Sequence, residues 1–473
     1  MLFGGITIAS VLTAVWTEWY FLVAIPVALL MVLAVVVDFK AVFLLLFAML
    51  PISAEVELPG GFGTDFPSEL LMVFLMVCTI FYYLANPQKV DKSFFNHTLT
   101  KLLLAHFVWI GISAVLSQIF AISIKFFLAK IWYIVVFFFL VGHFIKKPID
   151  FRPFFWALFL PLVTATVIII IKHATYSFHF EYVNKTLYPF FRNHVDYGVM
   201  LALWVPFIVY ARKWYAFGTI PRMAINVGLA VVLLGIVFSY TRAAYVSLVL
   251  IPIGYFIFKN NIVKTAITLG GVLAIFSICY LSIGKNYLLF APDFEKTVYH
   301  TGFEDHLSAT VNLSDLSTME RFHRWIAGIK MSGEYPLSGF GPGTFFHFYK
   351  PYADSAFETY VSDNDDQSTV HNYFILILLE QGIMGFLIFL VLVVAFFVKG
   401  QDVYNESKPE DRYWTATILT VMLVLMANIF MADLIETDAV GSLFFILIAL
   451  LVSQDLHNKR QRKITSKLEG VES

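Results

Sequence analysis

The chain has 473 residues, of which 59% are hydrophobic and only 14% charged, and its mean hydropathy is +0.78. Soluble domains carry roughly 25% charged residues, so no single aqueous core could hide this much apolar surface, and lipid must take the excess. A formal charge of −1 points to neither nucleic acid nor an anionic surface as a partner, and two cysteines, Cys78 and Cys279, exclude a disulfide scaffold. Both cysteines fall inside apolar runs, where they are expected to act as small buried hydrophobes.

A spanning helix needs roughly 20 apolar residues. In chain order such runs fall near 3–16, 19–37, 39–53, 67–85, 98–118, 123–144, 153–173, 194–212, 221–238, 241–258, 262–283, 370–398, 412–432 and 434–454. The first, MLFGGITIASVLTAVW, has no Lys or Arg ahead of it and so lacks the charged n-region of a cleaved signal peptide. The runs at 3–16 and 39–53 are short enough to be half-helices, so an all-α polytopic membrane protein with 12 to 14 transmembrane helices is expected. Lys and Arg collect in every second connection: Lys89 and Lys92, Lys146 to Arg152, Arg212 to Arg222, Lys259 and Lys264, Lys399 to Arg412, and the HNKRQRK run of the tail. Basic short loops stay in the cytoplasm, which places both termini there. Lys125 and Lys130 depart from the rule, since this topology sets them near the outer face.

The resulting organisation is 1–283 N-terminal transmembrane helices, 284–369 a large outer loop, 370–454 C-terminal transmembrane helices and 455–473 a cytoplasmic tail. The loop is rich in aromatic residues and is expected to pack against the membrane surface. Within it, MERFHRWIAGIKM carries Phe322, Trp325, Ile326 and Ile329 at helical spacing, which predicts an amphipathic helix with Arg321 beside its apolar stripe. GFGPG lacks the Lys-Ser or Lys-Thr of a Walker loop and the framing of a dinucleotide fingerprint, so it reads as a turn. The acidic run Asp363, Asp365 and Asp366 lacks the glycine and terminal glutamate of an EF-hand and reads as a solvated turn, and no metal is expected.

Charges near outer helix ends need a water path or a partner. Arg242 follows Ser239, Tyr240 and Thr241 and precedes two alanines, which leaves its guanidinium accessible; a snorkelling anchor is the plainer alternative. Arg321 could equally be a solvated helix-face charge, and Arg192, among aromatics, an interfacial anchor. His371 opens the helix HNYFILILLEQGIMG after SDNDDQSTV, with Ser368 or Thr369 available as its N-cap. In a first turn the helix dipole disfavours imidazolium, and a neutral histidine can act as a general base; a merely structural hydrogen bond at the helix start is the alternative.

These motifs, taken in order, resemble those of the O-antigen ligase and polymerase superfamily: the Ser-Tyr-Thr-Arg-Ala-Ala step at Arg242, R-x-x-x-W at Arg321 with PLSGFGPG, and His371-Asn372 before an apolar helix. The resemblance covers roughly residues 190–400 by motif. It implies a GT-C type membrane fold with one large periplasmic loop, no metal or other cofactor, and an undecaprenyl-diphosphate-linked glycan as donor. The acceptor it implies is lipid A core in ligases, or another carrier-linked glycan in polymerases. It also implies a bacterial inner-membrane location with the site on the periplasmic face. By this resemblance His371, Arg242 and Arg321 are the catalytic candidates, with Arg192, Tyr240 and Asn372 as further substrate-binding candidates. The single dominant loop leans towards a ligase. A repeat-unit polymerase is the nearest rival, and a lipid or sugar transporter or flippase is the rival of another class. The latter predicts ionisable residues at mid-span, whereas the polar groups here gather at outer helix ends.

Overall fold

The computed structural model describes residues 2–58, 62–291, 316–359, 362, 364 and 368–469. Among these residues, twelve helices are long and apolar enough to cross a membrane, and the shorter Phe3–Thr17 accompanies them. The chain is therefore an all-α polytopic membrane protein. In order, the principal helices are α1 (Leu2–Thr17), α2 (Ala24–Met49), α3 (Ser68–Ala85), α4 (Thr98–Val115) and α5 (Phe120–Tyr133). They continue as α6 (Arg152–Ala174), α7 (His194–Ala211), α8 (Ile220–Phe238), α9 (Arg242–Lys259) and α10 (Val263–Ser282). The last four are α11 (Leu316–Ser332), α12 (Tyr373–Glu406), α13 (Pro409–Ile429) and α14 (Asp438–Glu469). A single hairpin, β1 (Ala54–Leu58) with β2 (Phe62–Phe66), is the sheet of the described residues.

The runs expected separately at 19–37 and 39–53 are one helix, α2, broken at Asp38 (φ −151°, ψ 92°). The Asp38 carboxylate accepts from Ala41 N at 3.0 Å and so caps the second half. A charged residue between two apolar runs is a break within one span here, not a boundary between two. Helices α7, α13 and α14 form the centre, where most of each apolar stretch is buried, while α10 is exposed along its whole apolar length and carries Cys279 on its outside. Cys279 is thus exposed, contrary to the expectation of a buried hydrophobe, and Cys78 is half-buried.

Charged groups sort to the two ends of the bundle. At one end the tail helix α14 meets the basic connections: Lys459 and Lys399 lie 2.6 and 3.5 Å from the Asp455 carboxylate, and Arg460 lies 2.7 Å from Asp91. At the other end stand the hairpin, α11 and the starts of α7, α9 and α12. Lys130, which the loop-charge rule leaves unexplained, is buried at this second end with its Nζ 2.7 Å from Glu436 Oε2. An ion pair across helices offsets the cost of that lysine, so it carries no information about sidedness.

The segment around GFGPG is a turn, as expected, but a buried one. Gly339, Gly341 and Gly343 all have positive φ, and Gly382 (φ 67°) breaks α12 opposite them. Phe340 N and Gly341 N donate to the Leu379 and Glu380 carbonyls at 2.9 Å each, and Ile383 N returns a bond to Pro336 O at 2.8 Å. A Cβ on Gly339 would come within 2.2 Å of the Glu380 backbone, and one on Gly382 within 2.3 Å of Leu337, so the two backbones approach closely only because both residues are glycine. This joint fixes the polar segment to α12.

Candidate functional site

The start of α9 is set by the polar step before it. Tyr240 adopts φ 52°, Thr241 Oγ1 donates to His194 O at 2.6 Å, and Tyr240 OH donates to Phe178 O at 2.6 Å. Gly198 on α7 makes the room, since a Cβ there would lie 2.8 Å from both Ser239 and Thr241. The Ser-Tyr-Thr sequence therefore ties the N-terminus of α9 to α7 and fixes Arg242 as the first residue of an 18-residue helix. At that position the aligned peptide dipoles add to the guanidinium charge.

Helix α11 forms where the amphipathic pattern predicts it, but a different face is buried. Met319, Glu320, His323, Arg324, Ala327 and Met331 are buried, whereas Ile329 is exposed and Phe322, Trp325 and Ile326 are half-buried. The reason is an internal polar pair: Arg324 lies 3.3 Å from Glu320, whose carboxylate also accepts from Thr359 Oγ1 and, at 2.8 Å, from Ser362 Oγ. Paired charges can be buried where lone ones cannot. The rotated face directs Arg321 towards the bundle.

Arg242 and Arg321 line one cavity of about 410 Å³. Its polar rim includes His194, Tyr240, Thr241, Ser317 and Thr318, and its apolar part is built from Val246, Leu250, Ala427, Met431 and Leu434. Arginines suit phosphate oxygens because their forked donors bind bidentately and stay charged when partly desolvated. The pairing of cationic rim and apolar interior matches an amphiphile with an anionic head.

His371 stands beside this cavity and is not among its lining residues. It does not lie in the first turn of α12. Asn372 is the N-cap, accepting from Phe374 N at 3.0 Å and Ile375 N at 3.1 Å, so neither Ser368 nor Thr369 caps the helix. His371 precedes that cap with φ 54°, its carbonyl 3.4 Å from Trp325 Nε1 and its Nδ1 3.6 Å from Asp433 Oδ1. Burial pushes the Asp433 carboxyl up, but hydrogen bonding and charge from His371, with a hydrogen bond from Thr369, outweigh it and hold the group below the usual carboxylate range. A carboxylate at Nδ1 leaves Nε2 to handle a proton, the arrangement a general base requires. The next residue, Leu434, lines the arginine cavity, which puts the His371–Asp433 pair at its edge.

The other candidates lie apart. Asn372 is buried and spent on its capping bonds, and Tyr240 lines the cavity with its hydroxyl bonded to Phe178 O. Arg192 lines a different cavity, 4.0 Å from Glu55. Asp433 carries no site signal in the sequence, where MADLIETD reads only as an acidic outer junction and nothing in that string ties it to His371. The acidic residues Asp363, Asp365 and Asp366 lie outside the described residues.

These features define a polytopic membrane protein with an anion-suited, half-apolar cavity where α7, α9, α11 and α13 meet. Residues 227–390 match the family model described as O-antigen ligase, a segment containing Arg242, Arg321 and His371 but not Arg192. The match supports the O-antigen ligase family, in agreement with the motifs, and with it a membrane function of the ligase or polymerase type. A comparison with curated proteins gave no match.

Proposed function

We propose that the chain transfers a glycan from undecaprenyl diphosphate to an acceptor hydroxyl, acting as an O-antigen ligase with lipid A core as acceptor, at the periplasmic face of the bacterial inner membrane. The reading is carried by the joint placement of Arg242 and Arg321 on one half-apolar cavity, with the His371–Asp433 pair at its edge. The two guanidinium groups would hold the diphosphate, and the apolar part would take the first isoprene units. His371 removes the proton as the acceptor oxygen attacks the anomeric carbon. The new C–O bond forms as the bond to the diphosphate breaks, the electron pair leaves with the diphosphate, and the configuration inverts. Preorganised donors aimed at the departing charge usually lower the barrier of such a reaction more than any other single effect.

The even number of long helices among the described residues and the basic tail end support both termini being cytoplasmic, with α1 not completing a crossing. Deletion of the gene tests the function: lipopolysaccharide on a gel should show lipid A core without attached glycan, while polymerised glycan remains on its carrier. Core carrying a single repeat unit would instead mark a polymerase, and unchanged lipopolysaccharide would refute both.

A further inference from the structure

Asn428 lies in the last turn of α13, on the wall of the arginine cavity. We infer that its Oδ1 accepts a hydrogen bond from the first sugar of the donor glycan, so that Asn428 selects a carrier loaded with a sugar that bears a hydroxyl or acetamido N–H near its anomeric carbon; this rests on the glycosyl-transfer reading above and deepens it. Asn428 is 3% exposed, yet its Oδ1 has no hydrogen-bond partner among the described residues. Buried acceptors are normally satisfied, and polar groups kept within membrane helices are costly and mark substrate sites, so a donor from outside the chain is expected.

The bonds of the amide fix its orientation. Nδ2 donates to the Val424 carbonyl and to Ser247 Oγ, at 2.8 Å each. A carbonyl only accepts, so the atom facing Val424 is the nitrogen, and a flipped amide would set two oxygens against each other. Ser247 Oγ in turn donates to Ala243 O at 2.7 Å, which leaves it to receive the second amide hydrogen. Both hydrogens of the amide are thus used inside the chain, and what it offers to a ligand is an acceptor.

An acceptor has no role towards the rest of the carrier. The oxygens of a diphosphate diester hold no proton at neutral pH and would be repelled by Oδ1, and a polyprenyl chain offers only C–H groups, whereas sugar hydroxyls and amide N–H groups are donors. Ser247, which anchors the amide, follows Arg242 by five residues, about 7.5 Å along α9. A ligand whose phosphates meet Arg242 therefore meets the amide with the unit next to those phosphates. Asn428 is also tied to the base: its carbonyl accepts from Met431 N at 3.0 Å and Ala432 N at 3.1 Å, in the turn that leads to Asp433, the partner of His371. A sugar held at Asn428 is thus held on the segment that carries the partner of the base.

The full-length protein in detergent is titrated calorimetrically with undecaprenyl diphosphate, either bare or bearing N-acetylglucosamine or glucose. Asn428→Leu should still bind the bare carrier, which reports that it is folded, and should lose about tenfold in affinity for a loaded carrier relative to the bare one, as expected for the loss of one hydrogen bond to a buried acceptor. A loss that includes glucose assigns the donor as a hydroxyl, and a loss confined to N-acetylglucosamine assigns it as the acetamido N–H. Ser247→Ala removes the tie to α9 but keeps Oδ1 in place through Val424, so any effect it has should fall equally on bare and loaded carriers; Asn428→Ala serves if the leucine variant does not fold. An unchanged ratio of loaded to bare affinity in the folded Asn428 variant, the same selective loss in Ser247→Ala, or no binding of a loaded carrier by the wild type would overturn the assignment. Failure of the wild type to bind the bare carrier would instead overturn the transfer reading.

Discussion

The two cavities share the start of α7 and the segment leading into α14, yet one presents arginines over an apolar interior and the other carboxylates beside aromatic rings. The arginines suit the first cavity to an anionic head, whereas in the second Lys130 pairs with Glu436 and Asp65 hydrogen-bonds Asp438, so much of its charge is satisfied within the chain. The histidine beside the arginine cavity has an anionic partner of its own, which holds its orientation without lining either cavity. Charge sorting within one end of the bundle therefore says more about mechanism than the sorting between the two ends.

The sharpest way to break this comparison is to remove the arginines. Arg242→Ala and Arg321→Ala should each lower glycan transfer by at least about a hundredfold in a reconstituted assay, the cost of removing one preorganised donor from a developing anion. Arg192→Ala, on the other cavity, should cost far less. His371→Ala should reduce kcat by about a hundredfold or more with carrier binding retained, and in cells it should reproduce the deletion phenotype. Unchanged transfer in that variant would remove the base from the mechanism.

Asp433→Asn separates orientation from charge. Loss of the carboxylate removes the group that orients His371, so kcat should fall by about tenfold with carrier binding retained; an unchanged kcat would leave Asp433 with a structural role only. Because the folded Asp433 carboxyl is depressed, it contributes stability above its unfolded value of about 3.9, and that contribution is lost as pH falls through the depressed value. Asp65 has the opposite sign. Its raised carboxyl costs stability at neutral pH, and the cost disappears below about pH 4, so Asp65→Asn should raise Tm slightly at pH 7, by the equivalent of about 0.5 kcal/mol, and not at pH 3.5.

Much of the fold was legible because lipid imposes a length and a hydropathy on each span, and the helix around Arg321 because its period is unmistakable. The break at Asp38 and the lysine at 130 were not, since each depends on what a charge meets: a backbone N–H three residues on, or a glutamate 306 residues away. Arg242, Arg321 and His371 could be picked out as rare charges at helix ends, and the structure puts the two arginines on one cavity. The role of Asn372 as cap was hidden because Ser368 and Thr369 are equally good caps on composition, and only the left-handed turn at His371 decides between them. The acidic cleft was illegible altogether, because its carboxylates come from the hairpin, α7 and the segment before α14, which no local pattern links.

The most direct test of the central claim is a titration of undecaprenyl diphosphate into the purified full-length protein and its Arg242→Ala variant, with neutral core oligosaccharide titrated into both. Placement of the diphosphate in the arginine cavity predicts that the variant binds it about a hundredfold more weakly and the oligosaccharide as the wild type does. Equal diphosphate binding by the two proteins, or loss of both ligands together, would contradict it.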